Sequence, residues 1–373
     1  MGTGTPLKQA LPPFSSRFTP SLPELLAELD CSLALTTYQA GKVVLVSSDG
    51  ERLIQLPRSF DTPMGLALSG DQMAVATRHG VTMLANDARL GASYPRKPGY
   101  YDSLFLPRSV HYCGQLNIHD IGFGRDGLVG VNTLFSCLFR LDARHSFVPV
   151  WQPPFITKLA PEDRCHLNGM ALVDGAPRYV TAHGATDTPQ GWRDAKLNGG
   201  VLVDVETNAI IARDLPMPHS PRVYNGSLYV LLSASGELAR VDTETGTWET
   251  VTRMPAFVRG LARIGDHVFI GCSLLRKTHT FGDLPLAREQ KIFCGVLAVH
   301  LPTGAVVGQL EYLNSCEEIY DVQVLPGLRR PGILGTLNDV HLRGLSLPET
   351  TYWGSADEPR EPAGPPGPDT EAT

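Results

Sequence analysis

The stretch GVLAVHLPTGAVVGQL, residues 295–310, consists of two short apolar runs joined by the turn residues Pro-Thr-Gly. Apolar residues that recur with period two around such a turn predict a β-hairpin. The same unit of strand, turn and strand recurs along the chain, which indicates a repeat architecture. Its six copies begin at Gly41, Gly80, Cys137, Gly200, Gly236 and Gly295.

A second hairpin unit precedes every copy of the first except the earliest. Two hairpins per repeat, at a period of roughly 50 residues, predict six four-stranded sheets and therefore an all-β, six-bladed β-propeller. A β-sandwich is the rival architecture, but it would not require sixfold repetition. The copies of this second unit begin at Met64, His119, Asn168, Pro221, Arg259 and Tyr320.

The order of the hairpins predicts how the ring closes. The chain begins with an outer hairpin and ends with an inner one, so residues 41–57 and 320–336 are expected to form one blade in a 2+2 closure. Such closure joins the chain ends and removes free sheet edges.

The segments outside the hairpins complete the predicted organisation. The propeller is expected to span residues 31–345, after a Pro-rich segment 1–30 with one short helix beginning at Ser21, where Ser21 and Glu24 have the spacing of a capping box. Residues 346–373 are rich in Pro, Gly and acidic residues, which predicts a disordered tail. Two insertions stand out, at 86–107 and 277–293.

Composition limits the classes of partner. The net charge of the 373 residues is −6 and no Lys/Arg-rich run occurs, so nucleic acid is not an expected partner. No stretch reaches the roughly 18 apolar residues of a membrane span, and no N-terminal apolar segment suggests export. Seven scattered cysteines are typical of reduced thiols, which favours a cytoplasmic protein. The oligomeric state is left open.

Four histidines occupy related places in three consecutive repeats. In a propeller, the start of a first strand and the end of a second strand meet at one end of the central axis. His119, His166 and His219 lie at or beside first-strand starts, and His183 ends a second strand. We therefore expect all four at one central funnel, where imidazoles suit a divalent transition metal such as Fe, Mn, Cu or Zn.

Five further residues are the candidate catalytic side chains of this funnel. Asp120, Asp187 and Glu318 are expected to orient the imidazoles from behind, and Arg222 or Arg259 to hold an anionic group. The sequence contains no Gly-x-Ser-x-Gly motif, so an oxidoreductase or a lyase is favoured over a serine-type hydrolase.

Seven motifs resemble a bacterial family of conserved proteins of unknown function, some of whose members are fused to tetratricopeptide repeats. The resemblance extends from about Leu25 to Leu328 and includes all four histidines. More distantly, the architecture is similar to that of gluconolactonase-type six-bladed propellers, which bind calcium through carboxylates and amides. The motifs are TTYQAGK (36–42), PMGLA (63–67), NIHDIG (117–122), CHLNGMA (165–171), AHGATDTPQGWR (182–193), MPHSPR (217–222) and CGVLAVHLPTG (294–304).

Three functions remain open on these grounds. The first is a metal-dependent enzyme that acts on a small molecule or peptide in the funnel. The second is a non-catalytic propeller that binds a peptide or protein. The third is a calcium-dependent, lactonase-like hydrolase with Glu318, Asn132, Asn168 and Asp321 as ligands.

Overall fold

A computed structural model of the chain describes residues 11–276, 284–289 and 291–355. Within these residues, six sheets of four or five strands form the ring of a six-bladed β-propeller, as the repeat predicted. The first five blades in chain order are consecutive meanders: β5–β8, β9–β12, β13–β16, β17–β20 and β21–β24. Their strands are β5 (Leu66–Ser69), β6 (Gln72–Thr77), β7 (Gly80–Asn86), β8 (Ser103–Tyr112), β9 (Ile118–Gly124), β10 (Gly127–Asn132), β11 (Cys137–Arg140), β12 (Val148–Trp151), β13 (Leu167–Val173), β14 (Ala176–Ala182), β15 (Gly200–Asp204), β16 (Ile210–Leu215), β17 (Pro218–Tyr224), β18 (Ser227–Leu232), β19 (Glu237–Val241), β20 (Trp248–Arg253), β21 (Phe257–Ile264), β22 (His267–Ser273), β23 (Gly295–His300) and β24 (Ala305–Tyr312).

The sixth blade closes the ring in a way that corrects the predicted 2+2 arrangement. Its strand order is β25-β2-β3-β4, so the C-terminal part of the chain contributes one strand and the N-terminal part contributes three. The strand overlooked in the sequence is β2, whose six residues are all buried and therefore show no alternation. It pairs with β25 along its whole length and occupies the place that 327–336 was expected to take. These four strands are β2 (Cys31–Thr36), β3 (Lys42–Ser48), β4 (Leu53–Ser59) and β25 (Asp321–Pro326).

The remaining elements extend the blades at their outer edges. Strand β1 (Ser16–Phe18) adds to the fifth blade, and β26 (Pro331–Ile333) pairs in parallel with β8 of the first. Strands β27 (Gly344–Ser346) and β28 (Thr351–Trp353) form a separate hairpin. Residues 346–355 fall in the segment expected to be disordered, and they include Ser346 of β27 and the whole of β28. Residues 1–10, 277–283, 290 and 356–373 lie outside the described residues, so the insertion 277–293 is described only in part.

The predicted N-terminal helix is present, but its capping box is not. Helix α1 spans Ser21–Glu28, with Pro20 at the N-cap position and no side-chain cap. The Ser21 hydroxyl donates to the carbonyl of Val307 instead. A second short helix, α2 (Ala88–Ala92), begins the insertion at 86–107. Four 3₁₀ helices occur at Tyr38–Ala40, Gly191–Ala195, Pro285–Arg288 and Asp339–Arg343. Among the described residues, no helix has both the length and the apolar character that crossing a membrane requires.

The hydrophobic core lies between neighbouring blades. One cluster joins Val129 and Val131 of the second blade to Met170 and Val180 of the third, and all four are nearly inaccessible. Equivalent clusters occur around the ring. Because apolar burial stabilises the sheets against one another, polar side chains at the axis are not required for the fold.

Backbone contacts at the axis are close. Gly260 has a φ of 71°, and a Cβ atom at this position would lie 2.6 Å from the backbone nitrogen of Val322 in the closing blade. Asn117, His166 and Met217 also have positive φ, between 52° and 54°, directly before the first strands of three consecutive blades. This conformation is uncommon for residues with a side chain and recurs here at the same place in three blades.

Candidate active site in the axial funnel

A cavity of about 320 Å³ opens at the end of the ring where the first strands begin. It contains three of the four predicted histidines, together with loop residues that lie on both sides of them. Its lining consists of Tyr38, Met64, Asn117, His119, Asp163, His166, His183, Trp192, Arg193, Met217, Arg259, Arg276 and Tyr320.

The four histidines form one continuous row across three blades. The ring centroids of His119 and His166 are 4.9 Å apart, those of His166 and His183 are 4.5 Å apart, and those of His183 and His219 are 4.8 Å apart. His166 and His183 are stacked with an interplanar angle of 29°. The shared position in the repeat thus brings the four side chains together.

His119 and His219 have the same hydrogen-bond arrangement. Nδ1 of His119 lies 2.7 Å from Thr133 Oγ1, and this hydroxyl donates to the carbonyl of Leu167 at 2.6 Å. A hydroxyl has one proton, so Thr133 accepts from His119 and Nδ1 carries the hydrogen. Nε2 of His119 therefore has the free lone pair.

The second copy of this arrangement lies one blade beyond His183. Nδ1 of His219 lies 2.7 Å from Ser233 Oγ, which donates to the carbonyl of Val258 at 2.6 Å. The same argument places the lone pair on Nε2 of His219. This atom is buried and has no hydrogen-bond partner among the described residues.

His166 is oriented by a carboxylate that the sequence reasoning missed. Its Nδ1 lies 3.0 Å from both oxygens of Asp163, and Trp192 Nε1 donates to one of these oxygens at 3.1 Å. The Trp192 ring also lies 4.3 Å from the His166 ring, centroid to centroid. A carboxylate bound to Nδ1 leaves Nε2 of His166 as the atom with the lone pair.

His183 replaces a hydroxyl residue that other blades use to bind their neighbours. Thr133, Ser233 and Ser273 lie at or directly after the ends of the second strands of their blades, and each donates to a backbone carbonyl in or just before the first strand of the next blade. His183 occupies this place in the third blade and is 1% exposed. Neither of its ring nitrogens has a partner in the part of the chain that the structure covers. A buried polar group without a partner is costly, which argues for a ligand.

Burial favours the neutral form of three of these imidazoles. It holds the pKa of His119, His183 and His219 well below the ordinary value, and the neighbouring histidines and the positive charge of Arg259 lower it further. Neutral imidazoles are the form that coordinates metal ions.

A pair of arginines forms the opposite wall of the funnel. Arg259 and Arg276 both donate to Oε1 of Glu318 at 2.6 Å. The guanidinium of Arg259 lies 4.9 Å from the ring centroids of Phe257 and Tyr320. Glu318 therefore fixes the two arginines, and not an imidazole as the sequence suggested.

Arg276 and its aromatic neighbour were not predicted from the sequence. The Arg276 guanidinium lies 5.0 Å from the ring of Tyr38, which in turn lies 5.6 Å from that of Tyr320. Arg276 follows the end of β22 and Tyr38 follows the end of β2, so both come from connections between strands. The repeat pattern thus identified site residues at strand ends, but it did not identify those on the segments that connect the strands.

A second, much smaller cavity of about 10 Å³ adjoins the inner end of the funnel, and the residues that line it form the floor of the funnel. It shares His119, Arg259 and Tyr320 with the funnel. Arg222 lines this cavity and is paired with Asp120, with Nη1 and Oδ2 2.9 Å apart. Asp120 also accepts from the backbone nitrogen of Met170, at 3.0 Å. Arg222 and Asp120 thus connect the second, third and fourth blades, and they belong to this floor and not to the row of imidazoles.

Asp321 on the closing strand also lines this floor. Its carboxylate accepts from the backbone nitrogens of Leu66 and Val322. Burial, and then the nearby negative charge of Asp120, raise the pKa of Asp321 to about 7, against the opposing effect of Arg222.

Asp187 does not line the cavity. Its carboxylate binds the hydroxyl of Thr157 and Nη1 of Arg164, the latter at 2.7 Å. These contacts tie together two connecting segments, one of which continues to Trp192. Its predicted place behind an imidazole is thus taken by Asp163.

Two observations bear on a metal. Within residues 11–276, 284–289 and 291–355, no group of three or more His, Cys, Asp or Glu side chains has an arrangement that could hold a metal ion. Among these residues, both ring nitrogens of His183 and Nε2 of His219 are buried without a hydrogen-bond partner. The oxygens proposed for calcium fit less well, because Glu318 is engaged by two arginines and Asn168 Oδ1 accepts from Thr181.

The fold and this site define a six-bladed β-propeller with a polar axial funnel. The chain belongs to the family of the domain of unknown function DUF4915, whose model matches residues 20–334. None of the curated proteins compared with the chain matches it significantly.

Two solved structures align with most of the chain. A chain of a nidogen/laminin complex aligns with a TM-score of 0.53 and 10% identity, over 80% of this chain and 99% of that chain. A protein of unknown function from Bacteroides caccae aligns with a TM-score of 0.47 and 10% identity, over 79% and 98% of the two chains. At this level of identity, the first similarity concerns the propeller fold alone.

Proposed function

We propose that the funnel is the active site of a metal-dependent enzyme that acts on a small molecule or a short peptide. His119, His166, His183 and His219 would hold a divalent transition metal. The observation that carries the proposal is the shared anchoring of three imidazoles, each through Nδ1, which leaves Nε2 with the lone pair. Anchoring of the second ring nitrogen is typical of metal-ligating histidines.

The stacked pair sets a requirement for metal binding. His166 and His183 overlap face to face, so at least one of these rings would have to turn before both could serve one metal. His183 has the freedom to do so, because no hydrogen bond among the described residues fixes its ring. Its neutral form also avoids the loss of a proton on binding.

A metal bound here would supply Lewis-acid or redox chemistry to a substrate in the funnel. The chain's own residues have separate tasks. Arg259 and Arg276 would hold an anionic group, and Trp192 would cover the imidazoles against water. Burial raises the pKa of Tyr320, so its hydroxyl remains a proton donor at neutral pH. We favour a lyase or an oxidoreductase, in a reducing compartment that suits seven free, buried cysteines.

Metal analysis of the purified protein tests this function. We expect about one equivalent of Fe, Mn, Cu or Zn per chain, or uptake of one equivalent by metal-free protein. His166→Ala should abolish metal binding, because it removes an anchored ligand. The variant should still fold, because His166 is only partly buried. His267→Ala is the matched control, since His267 lies at the start of β22, away from the funnel lining. Wild-type protein that takes up none of these metals would refute the proposal.

A further inference from the structure

The small cavity beneath the funnel has buried polar atoms without partners. Among the described residues, Arg259 Nε, Asn168 Nδ2, Tyr320 Oη and His219 Nε2 lack hydrogen-bond partners, and all four residues line this cavity. Four such atoms around one space are unusual, since buried polar groups in proteins are nearly always paired. A volume of about 10 Å³ holds a single water molecule or one oxygen atom of a larger ligand.

The chemistry of these atoms indicates what the cavity accepts. Arg259 Nε and Asn168 Nδ2 are donors, and the Tyr320 hydroxyl can donate. His219 Nε2 is the acceptor in the set, and under the proposed function its lone pair belongs to the metal. The inference therefore rests on the proposed function at this point. The remaining atoms favour an oxygen that accepts several hydrogen bonds.

Arg259 has an open edge for a carboxylate. Its Nη1 is engaged by Glu318, whereas Nε, which carries the hydrogen beside Nη2, is not engaged by any described residue. The Nε and Nη2 edge of a guanidinium matches the two oxygens of a carboxylate. Arg259 is 5% exposed and lines both the funnel and the small cavity, so a ligand in the funnel can reach it.

The charges around the floor and the arginine wall are not balanced, and their excess positive charge favours binding of an anion. Arg259 and Arg276 share the single carboxylate of Glu318, which leaves this wall with one positive charge in excess. Arg222 is balanced by Asp120. Asp321 is the remaining acid of the floor, and at pH 6 it is mostly protonated.

We propose that the floor of the funnel is a carboxylate site that holds the substrate by a terminal carboxylate. One carboxylate oxygen occupies the small cavity, where Arg259, Asn168 and Tyr320 donate to it, and the rest of the molecule lies in the funnel beside the histidines. The substrate class is thus a small carboxylic acid that fits within about 320 Å³. Phosphate and sulfate fit less well, because they are tetrahedral and bulkier than the planar carboxylate that matches the Nε and Nη2 edge of Arg259 beside so small a cavity.

Binding of benzoate and of its neutral isostere benzamide to metal-free protein at pH 6 tests this site. Calorimetry or saturation-transfer NMR should show that benzoate binds at least tenfold more tightly than benzamide, and that inorganic phosphate binds more weakly than benzoate. Arg259→Gln and Asn168→Asp should each abolish this preference. The second variant retains the shape of the side chain but places a carboxylate oxygen of its own at the site, so it remains informative if the first does not fold.

Arg263→Gln is the matched control, because Arg263 lies on the same strand as Arg259 but binds Asn225 at the other end. This variant should retain the preference for benzoate. Equal binding of benzoate and benzamide by the wild type, or a preference that survives both site variants, would mean that the cavity holds a structural water only and would overturn the inference. Because the protein in this test contains no metal, its failure is distinguishable from failure of metal binding.

Discussion

Asp163 accepts a hydrogen bond from His166, whose Nδ1 lies 3.0 Å from each of its carboxylate oxygens. The carboxylate fixes both the tautomer and the orientation of this imidazole. Asp163→Asn should therefore lower metal affinity by about 10- to 100-fold while the propeller remains folded. Competition with a chelator measures the affinity. An unchanged affinity would show that His166 is not a ligand.

Replacement of His183 by Ser is expected to have an unusual effect on the stability of the protein. Serine at this position would restore the hydroxyl that Thr133, Ser233 and Ser273 supply in their blades. His183→Ser should therefore abolish metal binding without lowering the free energy of unfolding of the metal-free protein, because it removes two unpartnered buried nitrogens. Urea denaturation measures this free energy. A loss of more than about 2 kcal/mol would show that the imidazole is a packing element.

Replacement of Asp187 should loosen the segments at the rim of the funnel without changing the metal content of the protein. Its replacement by Ala removes the contacts to Thr157 and Arg164 that connect two segments at the rim. We expect faster proteolysis between residues 184 and 199 and unchanged metal content. Timed digestion followed by mass spectrometry locates the cleavage. Loss of metal in this variant would restore Asp187 to the group that orients the imidazoles.

Asp321 gives the protein a defined pH dependence. Its pKa is raised to about 7, whereas an unfolded Asp titrates near 4. The folded state thus retains a proton between these values that the unfolded chain has lost, so this residue makes the free energy of unfolding fall as pH rises from about 4 to 7. Asp321→Asn should flatten that slope, measured by urea denaturation at pH 5 and 7.5. Asp214→Asn, at an exposed position, should leave it unchanged.

The seven cysteines should be unreactive in the native protein. All are buried, and burial raises the pKa of Cys31 to about 12 and that of Cys113 to about 11, so little thiolate is present. A thiol reagent should modify none within minutes, and all seven once unreduced protein is denatured. Two missing thiols would point to Cys294 and Cys316, whose sulfur atoms lie 3.7 Å apart.

The blades could be predicted because each has turn residues between strands of regular length. Strand β2 could not, because a strand buried on both faces has no alternation to detect. The error in ring closure follows from this single strand. The hairpin that contains Trp353 could not be predicted for a similar reason, since Trp353 Nε1 donates to the carbonyl of Leu90, a contact distant in sequence.

The histidines could be predicted because the repeat itself places them at strand ends. Their partners could not. Asp163 and Trp192 lie on the connections before β13 and after β14, and Arg276 follows β22. The path of such segments depends on contacts such as that of Trp192 with Asp163, which no periodicity records. Glu318 was expected to orient an imidazole, but it pairs with Arg259 and Arg276 of a different blade.

The closing blade also determines when the site comes into existence. Asp321 is the first residue of β25, the strand that completes the ring, while Tyr320 directly precedes this strand and Glu318 lies two residues before Tyr320. On the ribosome, β2, β3 and β4 emerge first, and the inner edge of β2 then waits for nearly the entire remaining chain to be synthesised. The arginine wall lacks its shared carboxylate until that moment. A truncated or stalled polypeptide can therefore contain all four histidines and still have no assembled funnel.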